Sequence, residues 1–312
     1  MKNLGSKLLL VLAAFIWGAA FSAQSVGTQY LGPFSFNGIR FLIGGVALLL
    51  LCIITDVCSG KQKRTEGKAL RKKNIGAGIL CGIVLCIAAS FQQYGISYVT
   101  PGQSGFITAL YVILVPIIGV FLGKKGTAKT WLCAGLAIVG MYFLCLFGAN
   151  GAEESVTQLQ LFGRFTVNAR WFGYGIEFLC AIAFAFHILV IDKYSPGCNG
   201  VKVSCVQFLT AGVLCMLAAV IFEKISFQSV WDCIFPLLYT GVCSCGIGYT
   251  LQIVGQKRTK PATASLLMSL ESVFSALTAW MFLKIRMSGA EIIGCAIVFS
   301  AIVISQLPGK EA

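Results

Sequence analysis

The chain alternates between long apolar runs and short polar connections along its whole length. A helix needs about 20 mainly apolar residues to cross a bilayer, and the sequence supplies such a run ten times. No stretch long enough for a separate soluble domain remains between the runs. The pattern predicts an all-α polytopic membrane protein. The ten predicted spans are residues 7–27, 33–55, 75–94, 101–122, 129–147, 172–191, 201–222, 233–254, 261–283 and 289–307.

The composition agrees with a membrane protein. Of 312 residues, 57% are hydrophobic and 11% are charged, and the charged share is about half that of a typical soluble domain. The first apolar run follows Lys2 and Lys7, as the core of a signal peptide would. It continues to Val26, which is longer than the usual cleaved core of about 7–15 residues. We interpret it as a retained helix, with cleavage near Ala20–Ser22 as the alternative.

Basic residues are distributed unevenly between alternate connections. With a cytoplasmic N-terminus, eighteen Lys and Arg residues fall in cytoplasmic segments and five in outer segments, while Arg40 lies within a span. This asymmetry is the positive-inside pattern, and it accounts for the net charge of +13 without a nucleic-acid partner. Both termini are predicted to be cytoplasmic. Residues 61–73, in the basic loop 56–74, are expected near anionic lipid headgroups, either as a plain basic loop or as a lipid-binding segment.

Metal and enzyme chemistry find little support in the sequence. There are fourteen cysteines but no C-x-x-C pair, and His187 is the only histidine. Most of the cysteines lie within predicted helices, where cysteine behaves as a small apolar residue. The sequence also lacks the G-x-S-x-G, H-E-x-x-H and P-loop patterns. We therefore expect no catalytic residues, no metal site and no cofactor.

An internal repeat divides the chain. A shift of 160 residues lays FQQYGISYVTPGQSGFITALY (91–111) over LQIVGQKRTKPATASLLMSLE (251–271). A shift of 167 residues aligns the second and seventh spans. The repeat predicts a first unit over 1–150, an extracytoplasmic connecting loop over 151–171 and a second unit over 172–312. The aligned pairs include Gln92 with Gln252, Pro101 with Pro261, Tyr111 with Glu271, Phe41 with Phe208 and Gly45 with Gly212.

The charge pattern predicts that the two units are mutually inverted. Five helices are an odd number, so a second copy of the unit enters the membrane upside down. Equivalent connections then lie on opposite sides and differ in basic charge. SYVT (97–100) is neutral, whereas its counterpart KRTK (257–260) carries three positive charges. Inverted repeats are typical of secondary transporters, whose substrates bind near the midplane between the halves.

Short motifs occur in several of the predicted helices. Trp17-Gly18 with Phe21, Arg40-Phe41, ALYVILVP (109–116) and ESVFSAL (271–277) resemble the first, second, fourth and ninth helices of EamA-type members of the drug/metabolite transporter superfamily. The L-G-E that often follows two of those helices is absent from FLGKK (121–125) and FLKIR (282–286). The resemblance implies ten helices and secondary transport without a cofactor. It also implies a bacterial plasma membrane and, commonly, efflux of amino acids or other metabolites.

Glu271 is the most informative candidate residue. An acidic side chain at the centre of a spanning helix costs about 2.5–3.5 kcal/mol on insertion scales, so it is expected to face the interior of the bundle. Helical projection places Ser265, Ser269, Ser272, Ala276 and Ala279 in a small-residue stripe beside it. Glu271 then either handles substrate or protons, or links two helices through hydrogen bonds.

Nine further residues complete the predicted site. Arg40 is either a structural anchor or a contact for a substrate carboxylate, and His187 is either a packing residue or a pH-sensitive one. The amides and aromatic residues either line a cavity or pack between helices. These are Gln24, Gln92 and Gln252, and Trp17, Phe21, Tyr111 and Tyr249.

Together these features predict a secondary transporter that moves a small metabolite, of the amino-acid type, outward by alternating access. One alternative is a membrane scaffold or sensor subunit, which would use its polar residues in helix contacts. Another is a lipid translocator, which would have a groove open to the bilayer. The sequence leaves the oligomeric state, the coupling ion and the identity of the substrate undetermined.

Overall fold

A computed structural model describes residues 4–58, 67–121, 128–143, 158–161, 165–259, 264 and 267–306. Nearly all of the described chain is helical, apart from one two-stranded sheet. The helices are α1 Leu4–Gly27, α2 Pro33–Cys58, α3 Lys68–Gly95, α4 Pro101–Thr108, α5 Tyr111–Phe121, α6 Ala128–Tyr142, α7 Ala169–Tyr194, α8 Gly200–Phe222, α9 Phe227–Asp232, α10 Ile234–Leu238, α11 Tyr249–Gln256, α12 Leu270–Leu283 and α13 Gly289–Gln306, with a π-helical segment Tyr239–Gly248 between α10 and α11.

By length and composition, seven helical segments within the described residues can cross a membrane. Three further apolar helices, Trp131–Gly140, Leu270–Leu283 and Gly289–Ala301, are shorter. They fall on the predicted spans 129–147, 261–283 and 289–307, parts of which lie outside the described residues. The seven segments are Leu4–Gly27, Pro33–Thr55, Lys68–Gly95, Pro101–Phe121, Ala169–Tyr194, Gly200–Phe222 and Ile234–Gln256.

The outer surface of the helices is apolar. Phe121, Phe222, Phe227 and Phe235 are each more than 70% exposed, and so is Val220. Water-soluble proteins rarely expose so many large aromatic and aliphatic side chains. They suit a surface in contact with lipid.

Local capping signals set several helix ends. Thr100 and Gln103 form a capping box in front of α4, with Pro101 at the first helical position. The start of α2 is capped from a distant helix: backbone N–H groups of Phe34 and Ser35 each donate to a carboxylate oxygen of Glu223 over 2.8 Å. Glu223 ends α8, so the end of α8 supplies the anionic cap that favours the beginning of α2.

Two of the predicted spans are not continuous α-helices. Span 101–122 is interrupted at Ala109–Leu110. There the hydrogen bonds from Val112 N–H to Ala109 O and from Ile113 N–H to Leu110 O span three residues, as in a 3₁₀-helix, instead of the four of an α-helix. Pro116, just beyond, has no N–H to donate to the carbonyl of Val112. A run of apolar side chains does not reveal this interruption.

The eighth predicted span contains the π-helical segment Tyr239–Gly248. The Thr240 hydroxyl donates to the Pro236 carbonyl over 2.6 Å. Such a bond competes with the backbone ladder and bends helices. The distortion therefore lies where a proline and a back-bonding threonine come together.

Small residues allow the helices to approach closely. A Cβ added to Gly18 of α1 would lie 2.3 Å from Phe274 Cβ of α12, and one added to Gly78 of α3 would lie 2.5 Å from Val206 Cβ of α8. Without water to drive apolar association, close packing of this kind holds membrane helices together. The glycines thus fix which helices are neighbours.

The contact between α2 and α8 is reciprocal. A Cβ on Gly45 would lie 2.8 Å from Leu209 Cδ2, and a Cβ on Gly212 would lie 2.9 Å from Leu42 Cδ2. The Phe41 and Phe208 rings pack between them with centroids 5.6 Å apart. Each residue of α2 in these contacts is related to one of α8 by a sequence shift of 167. This exchange of equivalent contacts is the arrangement that a two-fold axis generates.

A small hairpin precedes α7. Strands β1 (Gln158–Leu161) and β2 (Phe165–Asn168) pair antiparallel, with Leu159 opposite Val167. Alternating residues in the predicted connecting loop 151–171 allow either this hairpin or a plain tether, and the described part is a hairpin. Asn168 then caps α7 by accepting a bond from the Arg170 N–H.

We expect Gly45→Ala and Gly212→Ala each to lower the free energy of unfolding by about 1–3 kcal/mol, because the added methyl overpacks a tight contact. Gly76→Ala is the matched control, since a Cβ there meets nothing within 4 Å, and it should be neutral or stabilising by up to about 1 kcal/mol. Unfolding by denaturing detergent in mixed micelles measures all three. Equal stability of the three variants would contradict the packing described.

Candidate functional site

A cavity lies between the helices, with about 490 Å³ of empty volume that includes space open to its surroundings. Nine of the ten predicted site residues line it: Trp17, Phe21, Gln24, Arg40, Gln92, Tyr111, Tyr249, Gln252 and Glu271. The wall also includes residues that the sequence analysis did not single out: Ala20, Thr108, Phe184, Ile188, Ser244 and Met268. The lining thus comes from both halves of the chain.

Glu271 is 4% exposed and accepts a hydrogen bond from the Tyr111 hydroxyl, with 2.9 Å between oxygens. These are the two residues that the 160-residue shift aligns. The equivalent positions of the two repeats therefore touch each other at the cavity. Tyr111 begins α5, so the interruption of the fourth predicted span directly precedes the residue that holds the acid.

Neighbouring helices hold α12 on two sides. Thr278 Oγ1 donates to the Gly18 carbonyl of α1 over 3.2 Å, and Ser275 Oγ donates to the Pro101 carbonyl of α4 over 2.6 Å. Ser269, Ser272 and Ala279 of the predicted stripe are buried, Ala276 is partly buried, and Ser265 lies outside the described residues. These contacts orient α12 so that Glu271 faces the cavity.

Arg40 is 4% exposed, yet it has no carboxylate partner among the described residues. Its guanidinium carbon lies 4.9 Å from the centroid of the Phe41 ring and 5.5 Å from that of Phe36. Its Nε atom has no hydrogen-bond partner in the described part of the chain. Cation–π contacts offset only part of the cost of burying a charge. The cavity therefore holds a cation suited to an anionic ligand.

The cavity amides are incompletely bonded as well. Gln92 Nε2 donates to Thr108 Oγ1 over 3.4 Å, whereas the side-chain oxygens of Gln24 and Gln252 have no partner among the described residues. Buried polar atoms are nearly always hydrogen-bonded. Unpaired acceptors on a cavity wall are consistent with a ligand that carries hydrogen-bond donors.

Aromatic rings form one side of the cavity. Trp17 and Tyr249 have ring centroids 4.7 Å apart, and Tyr249 in turn packs on Phe208 at 5.2 Å. The indole N–H of Trp17 donates to the Ser244 carbonyl in the π-helical segment over 3.4 Å. These contacts fix the rings in place and give the cavity an apolar surface beside its polar groups.

His187 is the one predicted site residue that does not line the cavity. It is fully buried, its Nε2 lies 3.2 Å from Gln207 Oε1, and its ring packs edge-on against Phe184 and Tyr249. Phe184 and Tyr249 both line the cavity. His187 therefore supports the wall from behind, which corresponds to the packing alternative.

Two buried carboxylates escaped the sequence analysis. Glu177 is fully buried in α7, and Glu291, 9% exposed, accepts a 2.6 Å bond from Gln103. The available signals were an acidic residue inside the predicted span 172–191 and the S-x-x-E capping pattern that Ser288 begins. Within the described residues, no group of three His, Cys, Asp or Glu side chains is placed to hold a metal ion.

Known proteins resemble the chain over most of its length. The EamA-like transporter family matches residues 5–146 and again residues 171–306. The chain belongs to this family. Membership identifies it as a transporter rather than an enzyme and, with its apolar helices, as an integral membrane protein.

Several relatives bear the name uncharacterized transporter. An uncharacterized transporter of Archaeoglobus fulgidus is 28% identical over 98% of this chain and 87% of the relative. The uncharacterized transporter YetK of Bacillus subtilis is 24% identical over 99% of this chain and 89% of its own length. Protein PagO of Salmonella typhimurium is 24% identical over 85% of this chain and 81% of its own. A crystal structure of another protein, 19% identical, has the same fold, with a TM-score of 0.66 over 97% of this chain and 96% of that one.

Proposed function

We propose that this protein is a secondary transporter for a small amphipathic metabolite that carries a carboxylate, of the amino-acid type. The observation that carries the proposal is the Arg40 guanidinium, buried at the cavity without a carboxylate partner among the described residues. Guanidinium and carboxylate groups pair in a two-pronged geometry. A substrate carboxylate would supply the charge that the protein itself does not place there.

The remaining wall fits the rest of such a molecule. Glu271 and the unpaired oxygens of Gln24 and Gln252 offer acceptors for an ammonium group. The Trp17 and Tyr249 rings offer an apolar surface for a side chain.

The transport cycle that we propose is alternating access by rocking of two inverted five-helix repeats. Three observations support the repeats: the two separate family matches, the reciprocal contact of α2 with α8, and the meeting of Tyr111 with Glu271. The interruption at Ala109–Leu110 supports a site built at a discontinuous helix, as in other inverted-repeat transporters. We propose net movement outward across a bacterial plasma membrane.

The unpaired polar groups also bear on the alternatives. A scaffold or sensor subunit would use its buried polar residues in helix contacts, whereas Arg40, Gln24 and Gln252 retain unpaired atoms at the cavity. This favours a binding site for a diffusing solute. The following experiment distinguishes transport of such a solute from translocation of lipid.

Counterflow in proteoliposomes tests the function. We expect exchange of some labelled amino acids from a panel, and none of the matching amines or amides that lack the carboxylate. Arg40→Gln should lower uptake at limiting substrate by about tenfold or more, since a buried charge partner is lost. Lys193→Gln removes an exposed cation and is the control. Exchange that ignores the carboxylate, or movement of labelled phospholipid instead, would refute the proposal.

We also propose that Glu271 couples transport to protons. Glu271→Gln keeps the hydrogen bond from Tyr111 but cannot ionise, so accumulation driven by a pH gradient should be lost while counterflow persists. Asp232→Asn, at an exposed residue that bonds Gln228, is the control. Flux and pH response equal to wild type in Glu271→Gln would end this part of the proposal.

The proposed topology has both termini in the cytoplasm. In a background without native cysteines, cysteines at Lys68 and Arg258 should react with an impermeant maleimide only in permeabilised cells. A cysteine at Ser97 should react in intact cells, because the neutral connection 97–100 is assigned to the outer side. Labelling of Lys68 and Arg258 positions from opposite sides would rule out the inverted repeats.

A further inference from the structure

A second acidic side chain lies behind the cavity wall. Glu177, in the first half of α7, is fully buried. It accepts a 2.6 Å hydrogen bond from the Ser104 hydroxyl and a 3.3 Å bond from the Thr108 hydroxyl, both on α4. Among the described residues, no lysine, arginine or histidine forms an ion pair with Glu177, and its hydrogen-bond donors there are the hydroxyl groups of Ser104 and Thr108.

In the described part of the chain, the helices packed against Glu177 contribute no charge that compensates its carboxylate. From α3, Gly95 approaches so closely that an added Cβ would lie 2.7 Å from Glu177 Cγ. The titratable neighbour on α7 itself is Cys180, whose sulfur lies 3.8 Å from Thr108 Oγ1. Tyr111 of α5 and Glu271 of α12 line the cavity, as Thr108 does. A carboxylate in this setting is costly unless it binds a cation, and the tight packing suits a proton better than a metal ion.

Packing alone does not explain an acid at this position. By the two repeat shifts, Gly95 corresponds to Gly255 and Glu177 corresponds to Leu10. A Cβ on Gly255 would lie 2.8 Å from Leu10 Cγ, so the equivalent close contact is made with an apolar side chain. The carboxyl group of Glu177 is therefore an addition to the second repeat that helix packing does not require.

Thr108 connects this acid to the cavity. Thr108 lines the cavity, and its hydroxyl donates to Glu177 Oε2 and accepts from Gln92 Nε2 over 3.4 Å. Gln92 lines the cavity too. One hydroxyl group thus separates Glu177 from the space in which we place the substrate.

We propose that Glu177 is a second proton-binding residue of the transporter, which exchanges its proton with the cavity through the Thr108 hydroxyl. In the unloading step, the Thr108 hydroxyl first turns its hydrogen toward a water or basic group in the cavity, so that Oγ1 accepts from the protonated carboxyl of Glu177. Oγ1 then takes the carboxyl proton while the hydroxyl's own proton passes to that water or basic group. The Ser104 hydroxyl and the proton now on Thr108 Oγ1 donate to the resulting carboxylate. Loading is the reverse step. The inference rests on the proposed transport function for its purpose, but the site itself is testable without substrate.

Infrared spectroscopy of the full-length protein in lipid tests the site directly. The carbonyl stretch of a protonated carboxylic acid is separate from that of a carboxylate. We expect a protonated-acid band that changes with pH, that is lost in Glu177→Gln and that is retained in Glu271→Gln. Glu177→Leu, which copies the equivalent residue of the first repeat, should lose the same band and serves if Glu177→Gln does not fold. Glu223→Gln, at the helix cap, is the matched control and should retain it.

The route through Thr108 has its own readout. After transfer to D₂O, the protonated-acid band of Glu177 should shift more slowly in Thr108→Val than in wild type, by about tenfold or more, because the hydroxyl that exchanges the proton is missing. If the carboxyl had only a structural role, the rate of this shift would be the same in both proteins. A protonated-acid band that is unchanged in both Glu177→Gln and Glu177→Leu would overturn the proposal. So would equal exchange rates in Thr108→Val and wild type. If the Glu177 band is absent while counterflow is normal, this inference fails and the proposed function stands. If the band is present but counterflow does not depend on the substrate carboxylate, the proposed function fails and this inference stands.

Discussion

The close approach of α2 and α8 is the constraint on which the rest of the structure depends. Gly45 and Gly212 let the two backbones meet, and Phe41 then packs on Phe208. The Phe208 ring also packs on the Tyr249 ring, and the Arg40 guanidinium lies over the Phe41 ring. A single interhelical contact therefore positions both the cation and one aromatic wall of the cavity. Because lipid tails are as apolar as the side chains, shape rather than hydrophobicity holds such a contact together.

The cavity concentrates polar groups that are expensive to bury. Arg40 and Glu271 both line the cavity, and within the described residues they form no ion pair with each other. Glu177 lies behind the wall and is hydrogen-bonded to the hydroxyl of the lining residue Thr108. Each of these groups would be more stable in water or beside an opposite charge. Tight packing elsewhere compensates for this cost and keeps them in place. The arrangement is typical of sites where polar groups are retained for function.

The sequence predicted much of the fold because the bilayer imposes a simple length rule. Seven predicted spans correspond to helices long enough to cross, and nine of the ten predicted site residues line one cavity. The interruption at Ala109–Leu110 and the π-helical segment were not predicted, since hydropathy along a run does not show where the backbone hydrogen bonding changes. His187 was grouped with the cavity because it is a polar residue within a predicted span, and its place in the sequence does not distinguish a wall residue from one packed behind the wall. Glu177 was overlooked although its charge lies inside a span.

The cap of α2 has a consequence for how the molecule can be divided. Gly32, just before Pro33, has no side chain to accept the first N–H groups of α2, and Glu223 at the end of α8 accepts them instead. In an amino-terminal half produced alone, the first backbone N–H groups of α2 would lack the carboxylate that accepts their hydrogen bonds. The two halves are therefore not self-sufficient modules: gene fission, or synthesis of one half ahead of the other, leaves a helix end incomplete until its counterpart arrives.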